Sequence, residues 1–309
     1  MIQESFLVYP CPSFRLDLIV WALRRRTHNR IDQWDRTVYT RVLLVDHTPV
    51  KVCVSQRQAG NHPELLVNMW SSAPVEQGTA RIREALQHMF GFQVDVTEFY
   101  TLAKKDSLLS PLAQHFLGLK PPRFPSLFEA LLNAFACQQV SLDVGILLLN
   151  RLTATYGVPF DDGQTVFFAF PEPAAFVNTS VERIRALGFS YQKARAITEL
   201  ATALVNNQRD FSMLEAMNDE EAKISLSSLR GVGRWTAEYV LLRGSGRLHI
   251  FPGDDVGAQK NLQQLLHLEA KPSYEKIKEL TSPWQPYAGF VYFHLLLAKL
   301  AKQGVLSQA

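Results

Sequence analysis

The stretch Leu226–Asp255, LSSLRGVGRWTAEYVLLRGSGRLHIFPGDD, constrains this chain more than any other. A helix-compatible apolar run ends at Leu229, a Gly231-Val232-Gly233 turn follows, and a second amphipathic run begins with Arg234, Trp235, Thr236 and Ala237. Glycine tolerates positive φ and lets a ligand approach the backbone, and Val232 can anchor the turn between two helices. The amides of Gly231 and Gly233 then lie at a helix N-terminus, where unpaired N–H groups and the helix dipole favour a phosphate oxygen. The pattern predicts a helix-hairpin-helix aimed at a nucleic-acid backbone. A bare Gly-x-Gly between helices also fits a plain turn. The acidic pair Asp254-Asp255, set directly after Phe251-Pro252-Gly253, is what makes the combination specific.

LRGVGRWTAEYVLLRG followed by FPGDD resembles the helix-hairpin-helix DNA glycosylases, in particular their 3-methyladenine DNA glycosylase II (AlkA-type) branch. The resemblance covers most of the chain, closely from Ser126 to Tyr287 and weakly before. It implies an α+β protein with a small N-terminal antiparallel sheet and helices over residues 1–110. An all-helical helix-hairpin-helix glycosylase domain would occupy residues 111–309. It further implies that Gly231, Val232, Gly233 and Arg234 hold the DNA backbone and that Asp255 serves base excision. The partner implied is double-stranded DNA carrying damaged bases, bound by a monomer. No organic cofactor is implied, although the family's hairpin can hold a structural monovalent cation on backbone carbonyls.

Composition sets bounds around this. A chain of 309 residues can hold two ordinary domains. Its 47% hydrophobic and 20% charged content is that of a soluble globular protein. No apolar run reaches transmembrane length. The segment MIQESFLVYPCPSF lacks a basic start followed by a long apolar core, so a cytosolic or nucleoid-associated location is expected. A net charge of +3 permits a nucleic-acid partner without demanding one. Three scattered cysteines, Cys11, Cys53 and Cys137, suit free thiols and cannot supply an all-cysteine iron–sulfur cluster. The eight histidines show no metal-ligand spacing, so no metal site is expected.

Along the chain, Leu16 to Arg26 has helical apolar spacing and ends in cations. Val38 to Val45, Val50 to Ser55 and Leu65 to Trp70 are β-rich runs, and Val75 to Phe90 is amphipathic. From about Leu108 the strand signals stop. Ser126 with Glu129, Thr179 with Glu182, and Asn218 with Glu221 are potential capping boxes. Further helices are expected from Ser141 to Tyr156, over YQKARAITELATALV and from Tyr287 to Lys302.

The chemistry centres on Asp255. Breaking an N-glycosidic bond builds oxocarbenium-like charge on the sugar, which an ionised carboxylate stabilises while helping water attack. Asp254 fits helix capping better than catalysis. The resemblance implies a base-stacking pocket of Trp235, Tyr239 and Trp284, each of which also fits an ordinary core position. Trp284-Gln285-Pro286-Tyr287 matches the family's Trp-x-Pro-aromatic segment, but Ala288-Gly289 stands where the family usually has Arg-Ser. Electron-rich rings suit a cationic alkylated purine. Gln139 matches the family's wedge position and also fits a polar helix end. Arg230, Lys193, Arg195, Arg123 and Lys120 are backbone-contact candidates that singly fit a solvated face.

Bifunctional relatives carry a lysine two residues past the second hairpin glycine; here Trp235 stands there and cannot form a Schiff base. Lys260, just beyond Asp255, is in principle an amine nucleophile but fits a solvated or phosphate-contacting lysine better. Monofunctional hydrolysis of alkylated purines, 3-methyladenine and 7-methylguanine among them, is therefore expected. The rivals are a non-catalytic DNA-binding or damage-sensing protein and a bifunctional oxidised-guanine glycosylase/lyase.

Overall fold

The computed structural model describes residues 1–306. The chain opens with β1 (Ile2–Val8), α1 (Leu16–Arg24) and the strands β2 (Gln33–Trp34), β3 (Val38–Val45), β4 (Thr48–Gln58) and β5 (Glu64–Ser71). Next come α2 (Gly78–Phe90), α3 (Thr97–Ala103), α4 (Leu109–His115), α5 (Leu127–Cys137) and α6 (Leu142–Tyr156). A small hairpin, β6 (Pro159–Asp161) and β7 (Val166–Phe168), precedes α7 (Val181–Ala186), α8 (Tyr191–Val205) and α9 (Asp219–Ser227). The chain finishes with α10 (Arg234–Arg243), α11 (Val256–Leu265), α12 (Tyr274–Thr281) and α13 (Ala288–Lys302). This is the expected α+β arrangement.

The five-stranded sheet is antiparallel in the order β1-β5-β4-β3-β2. Period-two alternation turns Val50, Val52 and Val54 of β4 and Leu65, Val67 and Met69 of β5 onto one helix-covered face. β1 escapes sequence reading because it is an edge strand whose first four residues are exposed, so its alternation is weak. The second sheet face corrects the expectation that strands stop near Leu108. The β6–β7 hairpin packs Phe160 and Ala169 against Val42, and Lys51 of β4 pairs with Asp162 at 2.5 Å. Three residues per strand are too few to show a period.

Two apolar cores result. One joins the sheet and α1–α4 to α11, α12 and α13; the other lies among α5–α10. The cores are tied together by Arg41, buried in β3, whose guanidinium bonds Asp32 at 2.8 Å and Glu129 of α5 at 2.6 Å. Burial works against that charge, but Glu129 and Asp32 outweigh it and hold Arg41 well above its ordinary pKa.

The helix caps refine the expected ones. Asn218 and Glu221 complete a reciprocal capping box. Ser126 accepts from Glu129 N, yet the Glu129 carboxylate turns to Arg41 instead of closing the box. Ahead of α7 the cap is Ser180, accepting from Arg183 N, not Thr179.

Candidate active site at the seam of the two cores

A cleft of about 1310 Å³ opens between the cores. Its walls come from the end of α5, the hairpin between α9 and α10, the start of α11, and side chains from just after α1 and from α13. Gly231 takes φ +78°, a conformation only glycine adopts freely, and a Cβ there would lie 3.2 Å from Ala196 Cβ. Gly233 ends the turn as the N-cap of α10 with no side-chain cap, and a Cβ on it would meet nothing within 4 Å. The first amides of α10 therefore have no side-chain cap, as an anion site requires. Val232 is buried against the second core and anchors the turn.

Asp255 is the N-cap of α11: its Oδ1 accepts from Ala258 N at 2.8 Å. Its Oδ2 faces two ring donors, Trp235 Nε1 at 3.1 Å and Tyr292 OH at 3.4 Å. The carboxylate is half-buried and lines the cleft. Capping therefore belongs to Asp255, not to Asp254. Asp254 instead forms a bidentate pair with Arg234, at 2.6 and 3.0 Å, and that guanidinium stacks 3.7 Å over the Tyr274 ring. Arg234 borders the cleft but its fork is already occupied.

The loop before Asp255 is clamped by residues that sequence reading missed. Glu238 Oε2 accepts from Gly253 N at 3.3 Å, and Oε1 accepts from Tyr274 OH at 2.5 Å. Burial raises the Glu238 pKa, with the Tyr274 hydroxyl pulling the other way. Gln259 Nε2 donates to Gly253 O at 2.8 Å. A single clue was available: Glu238 is an acid in the middle of an otherwise buried helical run.

Trp235 and Tyr239 share one face of α10, their ring centroids 5.3 Å apart and tilted by 32°. Both line the cleft. Trp284 does not. It is buried in the first core with Nε1 donating to Asp106 Oδ2 at 2.9 Å, so it cannot receive a base there. One buried polar group in the cleft is not anticipated at all, Arg25. It follows α1 in a left-handed conformation (φ +57°) and sends its guanidinium to Tyr239 OH at 3.1 Å and Asn133 Oδ1 at 2.6 Å.

Gln139 stands exposed at the cleft edge with φ +54°. Its neighbour Gln138 ties this turn to the hairpin, Nε2 donating to Gly231 O and Thr236 Oγ1, each at 2.8 Å. Lys193 Nζ caps the end of α5 through Gln138 O at 2.6 Å and Ala136 O at 3.3 Å. Arg195 and Arg230 both pair with Glu199. Lys120 is buried against Val94 O, and Arg123 donates to His88 O beside a separate groove, so neither belongs to this surface. Lys260 is exposed on the cleft rim.

A glycine hairpin and an acid-capped helix meeting across one cleft define a helix-hairpin-helix protein. Residues 132–286 match the family described as HhH-GPD superfamily base excision DNA repair protein, and the chain belongs to that family. It is 27% identical over 284 residues to "DNA-3-methyladenine glycosylase" of Bacillus subtilis (strain 168), covering 91% of this chain and 93% of the relative. It is 36% identical over 203 residues to "Alkylbase DNA glycosidase-like protein mag2" of Schizosaccharomyces pombe, covering 65% and 91% respectively. Its fold is similar to that of the 3-methyladenine DNA-glycosylase from Archaeoglobus fulgidus. There the TM-score is 0.81 at 24% identity, covering 95% of this chain and 98% of that one. No helix among the described residues is long and apolar enough to cross a membrane.

Proposed function

We propose that the protein is a monofunctional DNA glycosylase, acting as a monomer, that flips alkylated purines out of duplex DNA and hydrolyses their N-glycosidic bonds. The observation that carries this is Asp255, a carboxylate fixed by a helix cap and two ring donors beside the Trp235–Tyr239 pair. The hairpin amides grip a phosphate on the damaged strand and bring the sugar to the cleft. Gln139 fills the gap left in the stack, and the base enters against the aromatic pair, which offsets part of the unstacking cost of a few kcal/mol. As the bond to C1′ breaks, positive charge grows on the sugar opposite Asp255, which stabilises it and directs water to C1′.

Hydrolysis by water is favoured over Schiff-base chemistry because Trp235 is no amine and the Lys193 ammonium is committed to two carbonyls. A monovalent cation on the hairpin belongs to the same reading. The Gly231 carbonyl is taken by Gln138, whereas those of Arg230 and Val232 accept no hydrogen bond from the described residues. Incubation with N-methylated duplex DNA, followed by chromatography of released bases, tests the function. Free 3-methyladenine or 7-methylguanine is the expected product; intact methylated DNA would leave only a non-catalytic binding role. Borohydride treatment during the reaction should trap no protein–DNA adduct, and a trapped adduct would replace water by an amine nucleophile.

A further inference from the structure

Seven cationic side chains line the cleft, and five of them are already engaged. Arg230 and Arg234, beside the hairpin, pair with Glu199 and Asp254, and Arg26 pairs with Asp143. Lys193 is held by two carbonyls, and Arg25 by Asn133 and Tyr239. The other two, Lys260 of α11 and Lys299 of α13, have no hydrogen-bond or ion-pair partner among the described residues. Neither helix contains an aspartate or glutamate, so no carboxylate stands three or four residues away to occupy either ammonium. The helix dipole favours a lysine in the last turn of α13, but Lys260 stands in the middle of α11 and gains nothing from it.

Both lysines belong to the wall that carries the acid. Asp255 caps α11, and its Oδ2 receives Trp235 of α10 and Tyr292 of α13. Tyr292, Leu296 and Lys299 follow one stripe of α13, and Asn261 Nδ2 fastens α11 to α13 through Leu295 O at 3.3 Å. With a helical rise of about 1.5 Å per residue, Lys260 lies about 7 Å along α11 from Asp255, and Lys299 about 10 Å along α13 from Tyr292.

We propose that Lys260 and Lys299 form a second phosphate-binding edge, which holds the DNA backbone on the flank of the damaged nucleotide that the hairpin does not reach. This rests on the glycosylase reading above and adds to it where the strand is held. The hairpin contributes amides, and its two arginines are neutralised by their carboxylates. The lysines contribute full charges, free to take phosphates in exchange for counterions. A strand gripped at both walls is drawn across Asp255, and its sugar stays against the carboxylate while the base is out of the stack. An ammonium takes a phosphate as a point charge, so the contact orients the strand and reads no sequence.

Equilibrium binding to a duplex carrying a stable abasic-site analogue, measured between about 50 and 200 mM salt, tests this. Lys260→Gln and Lys299→Gln should each flatten the slope of log Kd against log salt by about 0.9, and the double variant by about twice that. Glutamine has nearly the helix propensity of lysine, so thermal midpoints should match wild type. Lys105→Gln, at an exposed lysine outside the cleft, should leave the slope as it is. Replacing single phosphates by neutral methylphosphonates then locates the contacts. A replacement beside the lesion that weakens wild type should cost the matching lysine variant nothing further. An unchanged slope in either lysine variant would overturn the shared edge, and so would an equal drop in Lys105→Gln. Purely additive methylphosphonate effects at every position would overturn it too, leaving only a diffuse field. In each of these cases wild-type binding and excision stand; a wild-type protein that does not bind the duplex would overturn the glycosylase reading as well.

Discussion

Asp255 holds a helix end with one oxygen and receives two ring donors on the other, so its position is set from three directions before any substrate arrives. In the proposed reaction Trp235 therefore has two parts, a face offered to the base and an edge whose Nε1 donates to Asp255. Trp235→Phe separates them by keeping a ring and removing the Nε1–H. A hydrogen bond to a carboxylate contributes about 1.5–3 kcal/mol, so excision should fall about tenfold or more in single-turnover assays while duplex affinity changes little. Gln139→Ala removes the group expected to fill the vacated stack and should weaken productive binding, read as a higher KM with the thermal midpoint preserved. At this scale, what the sequence shows is what lies close together in it. Asp255, Trp235, Tyr239 and the hairpin glycines sit within one stretch and share one cleft. Arg25 and Tyr292 reach the same cleft from distant elements, and nothing local marks them. Trp284 was misplaced for the converse reason, since an aromatic after a turn has the same local pattern whether it faces core or cleft.

Among the elements, the loop Phe251–Asp255 matters most because it aims α11. Gly253 lies against Tyr274, where an added Cβ would come within 2.7 and 2.9 Å of ring carbons, and its amide is held by Glu238. Gly253→Ala must push the Tyr274 ring or the loop aside. Such overpacking costs about 1–3 kcal/mol, and a shift of Asp255 should lower excision beyond what the loss of stability explains; thermal unfolding beside kinetics checks both. Apolar period with serine caps makes α5, α6 and α8 legible, and period alone makes α13 so, with ends displaced by a residue or two. The β6–β7 hairpin and edge strand β1 were not, because one is too short and the other too exposed for alternation to show.

For the molecule as a whole, the chain's two ends share a core: α13 packs with α1 and α11, and Tyr292 of α13 borders the cleft. His294 lies at the centre of this packing, fully buried among Phe99, Phe116 and Phe290, with Nδ1 on Phe290 O at 2.9 Å. Burial pushes its pKa down to about 4 from an ordinary 6.5. Between those values the unfolded chain binds the proton and the native state does not, so stability rises with pH and is lost as pH falls from about 6.5 to 4. The loss amounts to about 3 kcal/mol and should be largely abolished in His294→Leu, measured by denaturant unfolding across that range. The seam between the two cores is where hairpin, aromatic pair and acid converge, and the central claim is that the acid there does chemistry beyond capping. Asparagine caps a helix as well as aspartate does, so Asp255→Asn keeps the fold and removes the charge. The decisive measurement is single-turnover release of 7-methylguanine by Asp255→Asn alongside its affinity for the same duplex. Excision lower by about a hundredfold or more with affinity kept within a few-fold is the expected result; excision at the wild-type rate would contradict the catalytic role of Asp255.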